Sequence, residues 1–547
     1  IPLNIQLKDP IWPGRNLIDV SVSVPPGQPR TLWLDSRDRI LPNRSLYLTL
    51  AAGDPAFDAA ALDGAKIRLV FKDRAAGLAE HVADRFNQMR DNWGFLVEEH
   101  TGSRREALYR RLVADASDLL RVDPQNRTAR EYWADIMYNS QGPLPFTQPT
   151  PPAGVPLWAF RQLEDLKLVR KFVDWWIDER QVAYGDFGGG ISDDTDLVEQ
   201  WPGLALMGVE PDRIRASHTA LADAAYRNGM FTNGLSTIMA DELHSYEEGI
   251  NANSEAMYLG WGDPKVVERL MTTVAALPCI VQPNAAGHLH FKTNWFSGAK
   301  LFSEGPWEWQ RDQSVLVMHP ALLMGAYNAD PTSRRYVLGV ADGLLAHARP
   351  DGSLPDEINW RTDQTKGALP VNTPAMQLLY GAYRLSGDAR YLAPLETAEA
   401  KGGYRAATEF NENLMDVQGK RAAWGPEAVK RAASASASNF DRYLAWQSTG
   451  DTRWLEDLYG EEIRAANQRM YMMTEGHWWS DRVEVPSELL QRSRLGGVAL
   501  KRGWIWPGAT VSWRFDQADA AQQVAILVQG ATPTHFKVIA FNTSERP

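Results

Sequence analysis

The sequence predicts a mainly α-helical protein: an (α/α) toroid of helical hairpins flanked by N-terminal and C-terminal β-sandwich-like modules. Three observations point there. A helix-turn-helix joint recurs four times, at residues 257–267, 325–337, 380–392 and 443–455. The aspartates of these joints, Asp263, Asp330, Asp388 and Asp451, are spaced by roughly 60 residues, longer than the units of open helical solenoids and long enough for two helices and a return loop. At both ends of the chain the pattern changes to short alternating segments.

Residues 1–75 read as a β-sandwich-like module. LIDVSVSV alternates, and RTLWLDSRD, SLYLTLAAG and KIRLVFKD follow with proline and glycine between them. From residue 76 the period lengthens: AEHVADRFNQMRDNWGFLVEE and RREALYRRLVADASDLLRVDP carry helical spacing and open a toroid domain expected over 76–475. The proline-rich stretch 143–156 cannot be helix, and reads either as an interdomain linker or as a long loop within the helical domain. In each joint an apolar-aromatic helix end runs into glycine or a small residue and then aspartate. Glycine can take the left-handed conformation that closes one helix, and aspartate can cap the N–H groups that open the next. Over 476–547, RVEVP, GVALKRGWIWPGATVSWRF, QVAILVQGA and HFKVIAFNT return to a β pattern, read as a second sandwich-like module that is incomplete at Pro547.

Composition narrows the function classes. The 547 residues can hold two to four domains, and the net charge of −11, with acids and bases interspersed, argues against a nucleic-acid partner. No apolar run reaches the ~18 residues needed to span a bilayer, so no membrane role is expected. The single cysteine, Cys279, sits in the apolar phrase LPCIV and reads as a buried thiol. No signal peptide is visible, and the opening Ile1 is that of a trimmed or processed chain, so export stays open. Twenty-one tryptophans is the compositional outlier; indoles pack cores, and they also stack on the C–H faces of sugar rings. Walker, G-x-G-x-x-G, G-x-S-x-G and paired C-x-x-C patterns are missing from the sequence.

Across about residues 80–470, the joints and the acidic, histidine-bearing phrases resemble the α/α-toroid carbohydrate-active enzymes: the six-hairpin glycosidases and the toroid polysaccharide lyases with flanking β-sandwich domains. The resemblance implies an enzyme acting on a polysaccharide or oligosaccharide, secreted or periplasmic, and no cofactor is expected to be required; a structural calcium is a further reading of the acidic loop 184–203, although its spacing does not complete the EF-hand pattern. Hydrolysis by paired carboxylates is the first reading. β-Elimination on a uronic-acid-containing glycan, with Tyr/His acid-base chemistry, is the alternative, and a non-catalytic glycan-binding protein the second alternative.

Three clusters can carry that chemistry. In 184–203, three consecutive glycines precede Asp193, Asp194 and Asp196, candidates for acid-base catalysis, with Glu199 and with Trp201 as a stacking face; the plain alternative is a capped helix start. In 241–263, His244, Glu248, Asn251, Glu255 and Tyr258 fall on one face if the segment is a continuous helix. His244, Tyr246 and Glu248 are its catalytic candidates, Asn251 and Glu255 its binding ones; a solvated helix face is the alternative, and Gly249 can break the helix. In 284–298, His290 is a candidate base, with His288, Lys292, Asn294 and Trp295 as substrate contacts, against a surface loop. Glu357, Trp360 and Arg361 can line the same cleft.

Overall fold

In the computed structural model the described residues are 1–36, 39–97, 103–137, 144–206, 209–368, 373–409, 420–476, 480, 483, 526–528 and 538–540. The protein is mainly helical with a few small sheets. None of the described helices is long and apolar enough to cross a membrane. The chain divides into two compact units at Pro145/Phe146, inside the proline-rich stretch.

The first unit opens with strands β1 (Pro2–Lys8), β2 (Asn16–Ser23) and β3 (Leu48–Ala52), an antiparallel sheet with β1 in the middle. The strand expected from KIRLVFKD is not formed. Residues 66–73 are exposed, Phe71 by 75%, and lie outside any sheet, because alternation makes a strand only where a neighbour takes its N–H and C=O groups. Residues 31–36 likewise carry no strand. Three helices follow, α1 (Arg74–Val97), α2 (Ser103–Val122) and α3 (Arg127–Ile136). Arg85 of α1 is buried and grips Asp9, just past β1, through two hydrogen bonds of 2.6 and 2.9 Å, while its Nε donates to Asp118 of α2 at 2.8 Å.

The second unit begins with α4 (Leu157–Trp175), α5 (Ile191–Val198), α6 (Trp201–Leu206) and α7 (Pro211–Arg227), then short strands β4 (Phe231–Thr232), β5 (Leu235–Ser236) and β6 (Ala240–Asp241). Helices α8 (Glu242–Glu247), α9 (Ile250–Leu259) and α10 (Pro264–Ile280) lead into β7 (Val281–Pro283), β8 (Leu289–Phe291), β9 (Trp295–Phe296), β10 (Leu301–Phe302) and β11 (Trp309–Arg311). After α11 (His319–Asn328) and α12 (Pro331–Ala346) come β12 (Glu357–Asn359) and β13 (Thr365–Lys366), then α13 (Thr373–Ser386), α14 (Ala393–Glu409), α15 (Lys420–Ala432), α16 (Asn439–Thr449) and α17 (Arg453–Met473). Strands β14 (Ile526–Val528) and β15 (Val538–Ala540) form an antiparallel pair; otherwise the C-terminal β segments expected from the sequence lie outside the described residues.

All four joints are turns between helical segments, closed as their residues predict. Asp263 accepts the Lys265 N–H, Asp330 that of Ser333, Asp388 that of Arg390 and Asp451 that of Arg453. Gly450 sits at φ 71° in the last joint; in the second the left-handed position is held by Ala329, at φ 56°. At the far end, α17 packs on α4: Arg161 donates to the Glu456 carbonyl at 2.7 Å and Gln162 to the Tyr459 hydroxyl at 2.6 Å. Cys279 is exposed, contrary to expectation, because the buried positions of α10 there are Leu277 and Ile280.

Candidate functional site

The acidic loop turns on glycine. Gly188 and Gly190 take φ of 87° and 95°, a region that side chains make costly, and a Cβ on Gly189 would stand 2.1 Å from Ser480 Oγ. Asp194, in the first turn of α5, binds this loop from below. Its carboxylate accepts the Phe187 N–H at 2.6 Å, the Gly189 N–H at 3.2 Å and the Ser480 hydroxyl at 2.5 Å. Burial raises the Asp194 pKa and these hydrogen bonds oppose the rise. Asp194 therefore holds the loop in place, in contrast to the catalytic role expected of it. Asp196 is also buried and accepts Asn251 Nδ2 at 3.1 Å. Trp201 is 1% exposed, stacked on Phe187 at 6.0 Å and 25°, so it has no face for a sugar; its indole fills the core beside Phe172. Asp193 alone of the three aspartates is partly exposed.

The expected continuous polar stripe is two helices, because Gly249 at φ 103° separates α8 from α9. Past the break, Asn251 and Glu255 turn inward and are buried. Glu255 shares the interior with Glu199; burial and then that neighbouring charge raise its pKa well above the usual range, and its Oε2 has no hydrogen-bond partner. Tyr246 is buried too, with its hydroxyl 3.0 Å from His319 Nδ1, and Tyr258 approaches His319 Nε2 at 3.4 Å. Burial holds the Tyr246 pKa well above that of a free phenol. His319, at the head of α11, was not singled out from the sequence; nothing local marks the histidine of MHPALL as the centre of this network.

Glu248, just after α8, is partly exposed. Burial raises its pKa, a hydrogen bond from Ser192 lowers it, and the charge of Asp193 raises it again. Asp193 and Glu248 are thus electrostatic neighbours, brought together where α5 meets the end of α8: Thr195 Oγ1 donates to the Glu247 carbonyl at 2.6 Å. His244 is exposed, with Nδ1 2.8 Å from Asp241, whose carboxylate also caps α8.

Asp241 is paired across the sheet with Trp295, which ties the helix segment to the third cluster. Trp295 and Trp307 have ring centres 5.1 Å apart, with Phe302 6.4 Å beyond Trp307. Strands β11 and β12 pair Trp309 with Asn359 and Arg311 with Glu357. Arg361 lies over Trp360 and bonds to Glu308, Glu357 pairs with Arg311 and Lys366, and Lys292 is partly exposed. The substrate contact expected of Asn294 is not available to its buried side chain, which donates to the Pro306 carbonyl.

His290 leaves the expected acid-base set as well. It is buried, and burial, with His347 beside it, lowers its pKa to about 4. With His288 it joins two residues the sequence did not single out, His347 just after α12 and Asp363 between β12 and β13, and these four could hold a metal ion. His347 and Asp363 are far from the H-x-H pair along the chain, and neither stands in a spacing that marks a ligand.

Comparisons of the chain with protein families, with curated proteins and with solved structures return no match.

Proposed function

We propose that the chain is a carbohydrate-active enzyme, a glycoside hydrolase that cleaves a polysaccharide or oligosaccharide with paired carboxyl groups. The observation that carries the reading is Glu248 beside Asp193: two partly exposed carboxyl groups, with Glu248 pushed toward its protonated form by burial and by the charge of its neighbour. Hydrolysis of a glycosidic bond needs such a division, one carboxyl protonated to meet the leaving oxygen and one ionised. Glu248 is the acid and Asp193 its ionised partner. The partly exposed indoles of Trp295 and Trp307 provide flat apolar faces for sugar rings.

The packing of α4 on α17 supports a closed (α/α) ring within the second unit, because it joins the first and last described α-helices of that unit. The three-stranded sheet at the N-terminus is the element to which the sandwich-like module is assigned. Hydrolysis is favoured over β-elimination because Tyr246 and His290 are both buried, and neither can meet a uronate without rearrangement.

The test is to incubate the protein with a panel of neutral and uronic polysaccharides, following reducing ends and the ultraviolet absorbance of unsaturated uronates. Reducing ends alone support hydrolysis. Both signals together mean β-elimination, and binding with neither leaves a glycan-binding protein.

A further inference from the structure

We propose that His288, His290, His347 and Asp363 form a four-coordinate transition-metal site, with Zn²⁺ the ion its donors fit best. One donor atom from each residue lies within 4.8 Å of every other. The Asp363 carboxylate is 3.0 Å from His288 Nδ1, 3.5 Å from His290 Nε2 and 3.4 Å from His347 Nε2. Donors at the corners of a tetrahedron around zinc, each about 2.0–2.1 Å from it, stand roughly 3.3 Å apart, so these separations already approximate a coordination shell.

The hydrogen bonds behind the imidazoles decide which nitrogens point inward. His347 Nδ1 lies 2.8 Å from the Gly343 carbonyl, which can only accept, so Nδ1 carries the proton and Nε2 presents a lone pair. His290 Nδ1 lies 3.3 Å from Gln310 Oε1, an oxygen that also accepts the Phe291 N–H. His290 Nε2 is therefore an acceptor too; it is buried and makes no hydrogen bond. Two imidazole lone pairs and a carboxylate thus converge with no proton between them, an arrangement that a cation stabilises. Such backing of His290 and His347 by acceptors is also what orients ligands around a metal.

The backbone is shaped to the same end. Asp363 is held at φ 58°, uncommon for a residue with a side chain, and Asn284 Nδ2 donates to its Oδ1. Asn284 Oδ1 accepts the His288 N–H at 3.0 Å, so one asparagine positions two donors. A Cβ on Gly343 would stand 2.5 Å from the Leu289 carbonyl and 3.0 Å from His290 Cε1; glycine lets β8 reach α12 closely enough to bring His290 to His347.

Three nitrogen donors exclude the oxygen-seeking Ca²⁺ and Mg²⁺, and three imidazoles with one carboxylate suit zinc. Four protein donors fill a tetrahedral shell, so the ion is a clamp joining the β7–β8 hairpin, the end of α12 and the β12–β13 turn. The inference is independent of the glycoside-hydrolase reading.

The test uses the full chain stripped with a chelator and titrated with Zn²⁺ alone by calorimetry. One equivalent should bind, raising the thermal midpoint by mass action. His347→Ala and Asp363→Ala should lose this binding and the thermal response, and Asn284→Ala should weaken binding by about 10- to 100-fold. Absence of stoichiometric binding by the wild type, or binding unchanged in both ligand variants, overturns the site. Should the variants fail to fold, Co²⁺ on the wild-type chain decides: an intense visible band marks tetrahedral coordination, and a weak octahedral spectrum overturns it.

Discussion

Two carboxyl groups can stand close in sequence and do different work, and what their oxygens meet decides which. Asp194 spends its lone pairs on two N–H groups of its own loop and on the distant Ser480 hydroxyl, while its neighbour Asp193 is partly exposed beside Glu248. Glu248→Gln and Asp193→Asn should each lower turnover about 10²- to 10⁴-fold at unchanged thermal midpoint, measured by steady-state kinetics on the best substrate found. Asp194→Asn should instead lower the thermal midpoint by freeing the glycine loop. Because Glu248 must be protonated to act and its pKa is raised, the rate should fall on the alkaline side at a pH above the usual glutamate value of 4.5. A pH profile whose alkaline limb survives Glu248→Gln would remove it as the acid. Composition marked this loop as rich in acids, but it could not say which acid is buried. The same limit applies to Trp201: an indole in a polar phrase reads as a sugar platform until Phe172 and Phe187 are found around it.

Elements whose signals are local were legible. The joint aspartates accept N–H groups two or three residues ahead, a geometry that needs no distant partner. Asp330→Ala should cost about 1 kcal/mol of stability, read from the shift in urea midpoint, since it leaves the Ser333 N–H uncapped. KIRLVFKD has the composition of a strand and is not one, because a strand is defined by its neighbour. The histidine pair shows the same division: its alternation on β8 could be read directly, whereas His347 and Asp363 are brought to it only by tertiary packing. In the first unit, the buried link from Arg85 to Asp9 and Asp118 joins sheet to helices and has no sequence signature. Arg85→Ala should destabilise that unit by about 3–5 kcal/mol, because it strands buried carboxylates, and denaturant unfolding of the variant checks it.

At the scale of the whole molecule, the buried carboxyl groups set how stability responds to pH. In the first unit, Asp115 is pushed by burial to about 7, while Asp9 is held low by Arg85 and Arg15, Asp84 by Arg15 and Arg39, and Asp118 by hydrogen bonds from His81, Arg121 and Arg85, so that unit carries opposing trends. Glu242 in the second unit offers a cleaner case. It is 2% exposed, its Oε2 has no hydrogen-bond partner, and burial raises its pKa from 4.5 to about 7. Between those values the folded chain keeps a proton that the unfolded chain has released, so folding loses stability as pH rises. The contribution of the protonated carboxyl is fully present below pH 4.5 and is lost as pH passes through about 7. The full change is on the order of 3 kcal/mol. Glu242→Gln keeps the shape and removes the ionisation, so unfolding of the variant should be flatter across this window and the variant more stable than the wild type above it. Thermal unfolding of both proteins from acid to mildly alkaline pH tests this: parallel curves would mean that water or a neighbouring group already carries the charge of Glu242, and that its burial costs the fold nothing.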